Sequence, residues 1–312
     1  GRGSGYLRIR NPGETLQAPA IENANVSLFR PLSPNNADYA GRYNFHINYD
    51  SQPHPSSNQP RGVGFGSAIV LNTGGVNWAG RMADGSAYTA NSFIAYDGSA
   101  TLYASLNGGL GSFAAQPKIE LAATLTDNLI TDNSNGVRWA KNPDIMAASP
   151  RNYPAGWLPA RMNVIGSRWV APPTGTIVMD LSPDTNSYNS KLVFSAGGLL
   201  SSDTPDMNTF ITPAGIGQNY DPSTRKTTLT VTPSTGIFKG TFAMDDPMPN
   251  GVLMRRPTSY EGLIVRHPGS NPEFSAFGNF QLIQLPDPNI SPMPLPSNTP
   301  ILSGAVELQK LQ

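Results

Sequence analysis

Apolar and polar residues alternate with a period of two in short runs along most of this chain: RYNFHINY, GSAIVL, VNWAGRM, FIAY, ATLYASL, KIELAATL, TIVMDL, KLVFSA, KTTLTVT, GIFKGTF, YEGLIVR and FGNFQLIQL. Period two places successive side chains on opposite faces of a strand. Each run is bounded by clusters of Gly, Pro, Asn, Asp or Ser, which predicts antiparallel strands joined by turns, not alternating β and α elements. The fold class read from this pattern is all-β, with two similar antiparallel β-sandwich or barrel domains and extended N- and C-terminal arms. The best helical candidate is a turn or two around 142–148, opened by Pro143 and Asp144.

A weak internal likeness suggests the two domains. VLNTGGVNWAGRM carries Trp78 two residues before Gly80, and TVTPSTGIFKGTF carries Phe238 two residues before Gly240. Each continues to a Tyr-containing strand, a Gly-Ser turn and a Gly-x-Phe strand. The boundary falls near 171–176, where two prolines and a glycine interrupt the run from Trp169. The predicted organisation is an N-terminal arm with a strand (1–38), a first β domain (39–170), a second (171–285), and a proline-rich tether with a C-terminal strand (286–312).

Both ends read as strands. GYLRIR puts Leu7 and Ile9 on one face, and ILSGAVELQKLQ puts Leu302, Val306 and Leu308 on one side with Gly304 between them. The tether holds Pro286, Pro288, Pro292, Pro294, Pro296 and Pro300. Proline fixes φ and removes the amide donor, so the tether is expected to be an extended spacer of roughly 3 Å per residue, on the order of 45 Å in all. A strand with unpaired amides must find a sheet edge. Leu7, Ile9, Leu302, Val306 and Leu308 are therefore the expected assembly contacts, with copies of the same chain as the partner. The competing expectation is that both arms fold back onto their own domains.

Composition narrows the classes. Gly (31) and Pro (30) make about a fifth of the 312 residues, leaving little room for long helices. Lys+Arg and Asp+Glu number 21 each, so no net field steers nucleic acid or anionic lipid. With no cysteine, disulfides, thiolate metal sites and cysteine nucleophiles are excluded. Few charges, many small polar residues and no cysteine favour a secreted or cell-surface protein. No stretch reaches the ~20 apolar residues needed to span a bilayer as a helix. An exported chain beginning at Gly1 without a leader is expected to be the mature form.

Phrases such as Tyr39-Ala-Gly-Arg-Tyr43, Gly80-Arg-Met-Ala-Asp-Gly-Ser86, Leu102-Tyr-Ala-Ser-Leu106, Gly109-Leu-Gly-Ser112, Val164-Ile-Gly-Ser-Arg-Trp169 and Ser234-Thr-Gly-Ile-Phe-Lys-Gly240 make residues 39–285 resemble the C-terminal β modules of large secreted proteins of Verrucomicrobia and related bacteria. The resemblance implies extracellular or cell-surface placement and no catalytic activity.

Candidate chemistry is sparse. His46, His54 and His267 lack H-x-x-x-H or H-E-x-x-H spacing, and no G-x-S-x-G elbow anchors a triad. Surface or strand-face positions are the plain reading of all three. The adjacent Asp245 and Asp246 would point to opposite faces if they lay on a strand, and the Pro-Met-Pro-Asn-Gly that follows makes a solvated turn the plain reading, so a glycosidase pair is not expected. Asp127, Asp132, Asn133 and Asn135 form an oxygen-rich loop that departs from the EF-hand pattern, and NGGLGS lacks the lysine and helix of a phosphate loop. No catalytic, metal or cofactor residue is expected. Trp78 and Trp169 read as core. Trp139, Tyr153 and Trp157 read as loop aromatics and are the candidate ligand platform of the alternative function, a secreted carbohydrate-binding or adhesion module for a surface glycan. The leading expectation is a non-enzymatic, self-assembling structural protein.

Overall fold

The alternation in RYNFHINY is an alternation in space: in the computed structural model Tyr43, Phe45, Ile47 and Tyr49 of one strand all enter a single core. The structure describes residues 37–50, 59–132, 137–144, 151–200, 203–219, 225–248, 251, 253–287, 289–290 and 295–311, together with the main chain of 3–7 and 24–28. Strand makes up 56% of the described residues and helix 5%. The described helix consists of single 3-10 turns. Asn142 to Asp144, where a helical turn was expected to begin, are irregular, and 145–148 lie outside the described residues.

An N-terminal pair, β1 (Gly3–Leu7) and β2 (Ala24–Leu28), forms a two-stranded sheet by itself. The first large sheet contains β3 (Gly41–Tyr49), β4 (Gly64–Val70), β5 (Gly75–Arg81), β6 (Ala87–Phe93), β7 (Leu102–Leu106), β8 (Gly111–Ala115), β9 (Pro117–Glu120), β10 (Leu129–Asp132), β11 (Arg138–Lys141) and β12 (Trp157–Arg168). β3 to β6 pair antiparallel in sequence order, β7 pairs with β8, β9 with β10 and β11 with both β8 and β12, β10 and β11 share one flank of β12, and β12 returns beside β3. The ring is completed where β6 meets β7 at the single bridge Ile94–Ala100. The second sheet contains β13 (Ser190–Ala196), β14 (Met207–Ile211), β15 (Gly217–Asn219), β16 (Thr230–Thr232), β17 (Ile237–Pro247), β18 (Leu253–Arg266), β19 (Phe274–Ile283) and β20 (Ile301–Lys310). It is a meander, with β20 beside β13 and a bridge Ile216–Thr230 near its other junction. Both domains are thus nearly closed antiparallel barrels, each filled by its own apolar cluster. Trp169, just before the expected boundary, already packs in the second core.

The two resembling segments do not occupy equivalent strands. Trp78 and Gly80 lie on the third strand of their barrel, whereas Phe238 and Gly240 lie on the fifth. What they share is a packing device. Gly80 sits opposite Tyr88, whose hydroxyl crosses it toward the Phe65 carbonyl at 3.4 Å. Gly240 sits opposite Tyr260, whose hydroxyl donates to the Thr228 carbonyl at 2.5 Å. A Cβ on Gly80 would lie 2.2 Å from the Phe65 oxygen, and one on Gly240 would lie 1.8 Å from the Thr228 oxygen.

The C-terminal segment corrects the expectation of a free arm. β20 lies between β13 and β19 of its own barrel, in register from Ser190–Lys310 to Ala196–Gly304 and from Phe277–Glu307 to Ile283–Ile301. Val306 and Leu308 are fully buried in the second core, and Leu302 is half-buried. Gly304 is required there because a Cβ would strike the Phe280 ring at 2.1 Å. The prolines do not carry the strand away. The Gln284 amide donates to the Pro300 carbonyl at 2.8 Å, and the Thr299 hydroxyl donates to the Gln284 carbonyl at 2.7 Å, so the two ends of the tether are tied together. Proline is tolerated because a hairpin loop needs no ladder donors.

Candidate functional site

β3 is buried on both faces. Its inward residues fill the first core, while Asn44 and His46 point out and are covered by the second barrel. Asn44 donates to the carbonyls of Thr235 at 2.9 Å and Ile264 at 3.0 Å. His46 Nε2 donates to the Leu263 carbonyl at 2.7 Å, and its ring meets Phe277 edge-on at 5.3 Å between centroids. Asn279 of β19 reaches back to the carbonyls of Val63 at 2.9 Å and Met82 at 3.2 Å. Trp169 Nε1 donates to the Pro233 carbonyl at 3.2 Å. Side-chain amides and rings on one barrel therefore answer main-chain carbonyls on the other, which is how a polar interface avoids the cost of unsatisfied buried groups. Ion pairs Arg81–Glu261 and Arg266–Asp127, both at 2.8 Å, lie at the partly exposed rim and add little by themselves.

Burial lowers the His46 pKa to about 4, with the Leu263 hydrogen bond opposing the shift and His267 adding to it. Nδ1 is then the acceptor face, 3.4 Å from the Ser275 hydroxyl, and Ser275 lies 2.7 Å from His267 Nε2. In this Ser-His-His group His46 is buried in the seam, while Ser275 and His267 are half-buried. Cavities of about 460 and 300 Å³ flank the Arg81–Glu261 pair, and neither is lined by His46, Ser275 or His267.

The loop aromatics are also corrected. Trp139 is fully buried, and Trp157 and Tyr153 are at least nine-tenths buried, all in the first core. Trp139 and Trp157 meet edge-on at 4.6 Å, and Tyr153 meets Trp157 at 5.8 Å. The reason is strand phase: Val137, Trp139 and Lys141 alternate inward along β11, and Trp157 begins β12. A ring packed on other rings offers no sugar-stacking face. The same end of the barrel holds a group that sequence inspection missed. Lys141, 5% exposed, donates from Nζ to the Asn152 main-chain oxygen and lies 5.9 Å above the Trp157 ring. Asp84, 1% exposed, accepts from the Ser86 amide and hydroxyl, each at 2.9 Å. The phase of Val137-x-Trp139-x-Lys141 was the available signal for the lysine.

Residues 151–153 grip the second barrel. Arg151 donates to the carbonyls of Thr299 at 2.8 Å and Pro296 at 2.9 Å, the Ile301 amide donates to the Arg151 carbonyl at 2.9 Å, and the Ser303 amide donates to the Tyr153 hydroxyl at 2.8 Å.

In the oxygen-rich loop, Asp127 is engaged by Arg266, and Asn133 and Asn135 lie outside the described residues. Of the N-terminal contacts, Leu7 is in β1 and Ile9 lies outside the described residues. His54 also lies outside them. No helix among the described residues is long and apolar enough to cross a membrane. No family model, curated protein or solved structure matches the chain.

Proposed function

We propose that this protein is a non-enzymatic structural subunit of an extracellular or cell-surface assembly, joined to copies of itself by addition of its N-terminal hairpin to a neighbour. The observation that carries the reading is the hairpin itself: β1 and β2 pair from Gly3–Leu28 to Leu7–Ala24 and, among the described residues, with no strand of either barrel. An isolated two-stranded hairpin is marginal in water, so it gains most from an acceptor edge. The first barrel offers one. β6 pairs with β5 through all seven residues from Ala87 to Phe93, yet along its other flank it lies beside β7 without a hydrogen-bonded ladder among the described residues, the two being linked by the Ile94–Ala100 bridge in the segment that connects them. Phe93, Tyr96 and Tyr103 are exposed beside that seam, and strand addition draws affinity from main-chain bonds and specificity from alternate side chains. The hydrogen-bonded polar seam between the barrels suits a load-bearing part. Surface placement rests on the cysteine-free, charge-poor composition and on the resemblance to secreted β modules. Burial of Trp139, Tyr153 and Trp157 removes support from the glycan-binding alternative.

Sedimentation of the full chain and of a variant lacking residues 1–36 tests the reading, with negative-stain imaging to separate filaments from rings. Assemblies in the first sample and folded monomers in the second are expected. An identical assembly state in both refutes strand addition by this arm.

A further inference from the structure

We propose that Lys141 and Asn152 are joined by an intramolecular amide bond, Nζ to Cγ, formed with loss of ammonia inside the first barrel. Lys141 is a buried cation with no carboxylate salt bridge among the described residues; its amine donates to the main-chain oxygen of Asn152 itself. The Asn152 carboxamide oxygen is buried without a hydrogen-bond partner, as are the indole N–H groups of Trp139 and Trp157, whose rings meet edge-on with Lys141 Nζ over the Trp157 ring. The Asn152 Nδ2, the atom that would leave, donates to the Asp84 main-chain oxygen at 3.4 Å. An uncommitted electrophile and a desolvated amine thus lie together, with the Asp84 main chain bonded to Asn152 and its carboxyl close enough to act on Lys141 electrostatically. Burial lowers the Lys141 pKa against the opposing fields of Asp84 and Asp144, and burial raises the Asp84 pKa against its bonds to Ser86 and Asn107. Both shifts favour the uncharged amine and the protonated acid that the step needs.

The step balances without oxidant or co-reactant. The Nζ lone pair attacks Cγ, the Nζ–Cγ bond forms and the Cγ–Oδ1 π pair moves onto oxygen. Collapse of that oxyanion breaks the Cγ–Nδ2 bond. The proton lost by Nζ passes through the Asp84 carboxyl to Nδ2, which departs as ammonia, and Asp84 is regenerated. The product closes the loop 142–151 and fixes residues 151–153, which hold the start of β20 in the second barrel. In a chain without cysteine, this amide supplies the covalent staple that a disulfide cannot.

Intact-mass spectrometry of the full chain should read one ammonia below the sequence mass, unchanged by reductant. Tandem spectra of a tryptic digest should show residues 139–151 and 152–161 joined through Lys141 and Asn152. Asn152→Ala and Lys141→Met should restore the full mass of their own sequences. Asn152→Asp should lose water instead and arrive at the same product mass as the wild type, which keeps the test informative if the other variants fold poorly. Asp84→Asn should leave most chains unlinked, and linking at the wild-type rate would remove Asp84 from the mechanism. A wild-type chain at its full sequence mass overturns the proposal, as does an ammonia loss that maps to the Asn-Gly sequences at Asn107, Asn135 or Asn250.

Discussion

Acidification from pH 7 to pH 4.5 should cost this protein about 2 kcal/mol through His46 alone. In the seam the imidazole is 2% exposed, donates from Nε2 to the Leu263 carbonyl and is held neutral by burial, with a pKa of about 4 against 6.5 for an ordinary histidine. The unfolded chain takes up the proton as pH falls through 6.5, while the folded chain refuses it until about 4. Between those values the unfolded state binds more protons, so stability is full above pH 6.5 and declines as pH drops toward 4. At about 1.4 kcal/mol per pH unit the whole effect is about 3 kcal/mol, most of it spent by pH 4.5. The assay is urea unfolding of the wild type and His46→Gln at pH 7 and 4.5. The carboxamide of glutamine retains a donor for Leu263 but does not titrate, and every other titrating group is common to both proteins and cancels in the comparison. The variant should be less stable at pH 7 and lose about 2 kcal/mol less than the wild type on acidification. Equal losses in both proteins would refute the claim that His46 is buried uncharged between the barrels.

Other substitutions probe packing. Val306→Asp, or deletion of residues 301–312, should unfold the second barrel, because Val306 is fully buried opposite Phe194 and Gly278 and an unpaired charge there costs several kcal/mol; near-UV circular dichroism and a thermal melt report it. Gly240→Ala should destabilise by about 1–3 kcal/mol, since the added methyl meets the Thr228 carbonyl; a neutral denaturation midpoint would dismiss the Tyr-over-Gly device. Asp246→Ala should cost about 3–5 kcal/mol in urea melts, because it strands Arg256, 1% exposed and bonded to Asp246 at 2.7 Å. Chelation should leave the melting temperature unchanged, as no cluster of three potential ligands occurs among the described residues.

Much of the architecture was legible as sequence. Period-two runs and Gly/Pro punctuation determine an all-β fold, because face alternation is a local property of strands. They also place Trp78 in the core, whereas the inward phase of Val137-x-Trp139-x-Lys141 goes unread when Trp139 is taken as a loop aromatic. Pairing partners are another matter: main-chain hydrogen bonds are the same for every sequence, so nothing local distinguishes an edge in the same chain from one in a neighbour. Only the tertiary structure seats β20 between β13 and β19, closes the proline loop at Gln284 and Pro300, and turns an expected arm into core. Only the second barrel, laid over the outer face of β3, makes Asn44 and His46 buried groups where the strand pattern alone presents them to water. Lys141, Asp84 and Asn152 are likewise far from suggestive as sequence and come together because β11, the β5–β6 turn and the segment before β12 converge at one end of a closed barrel.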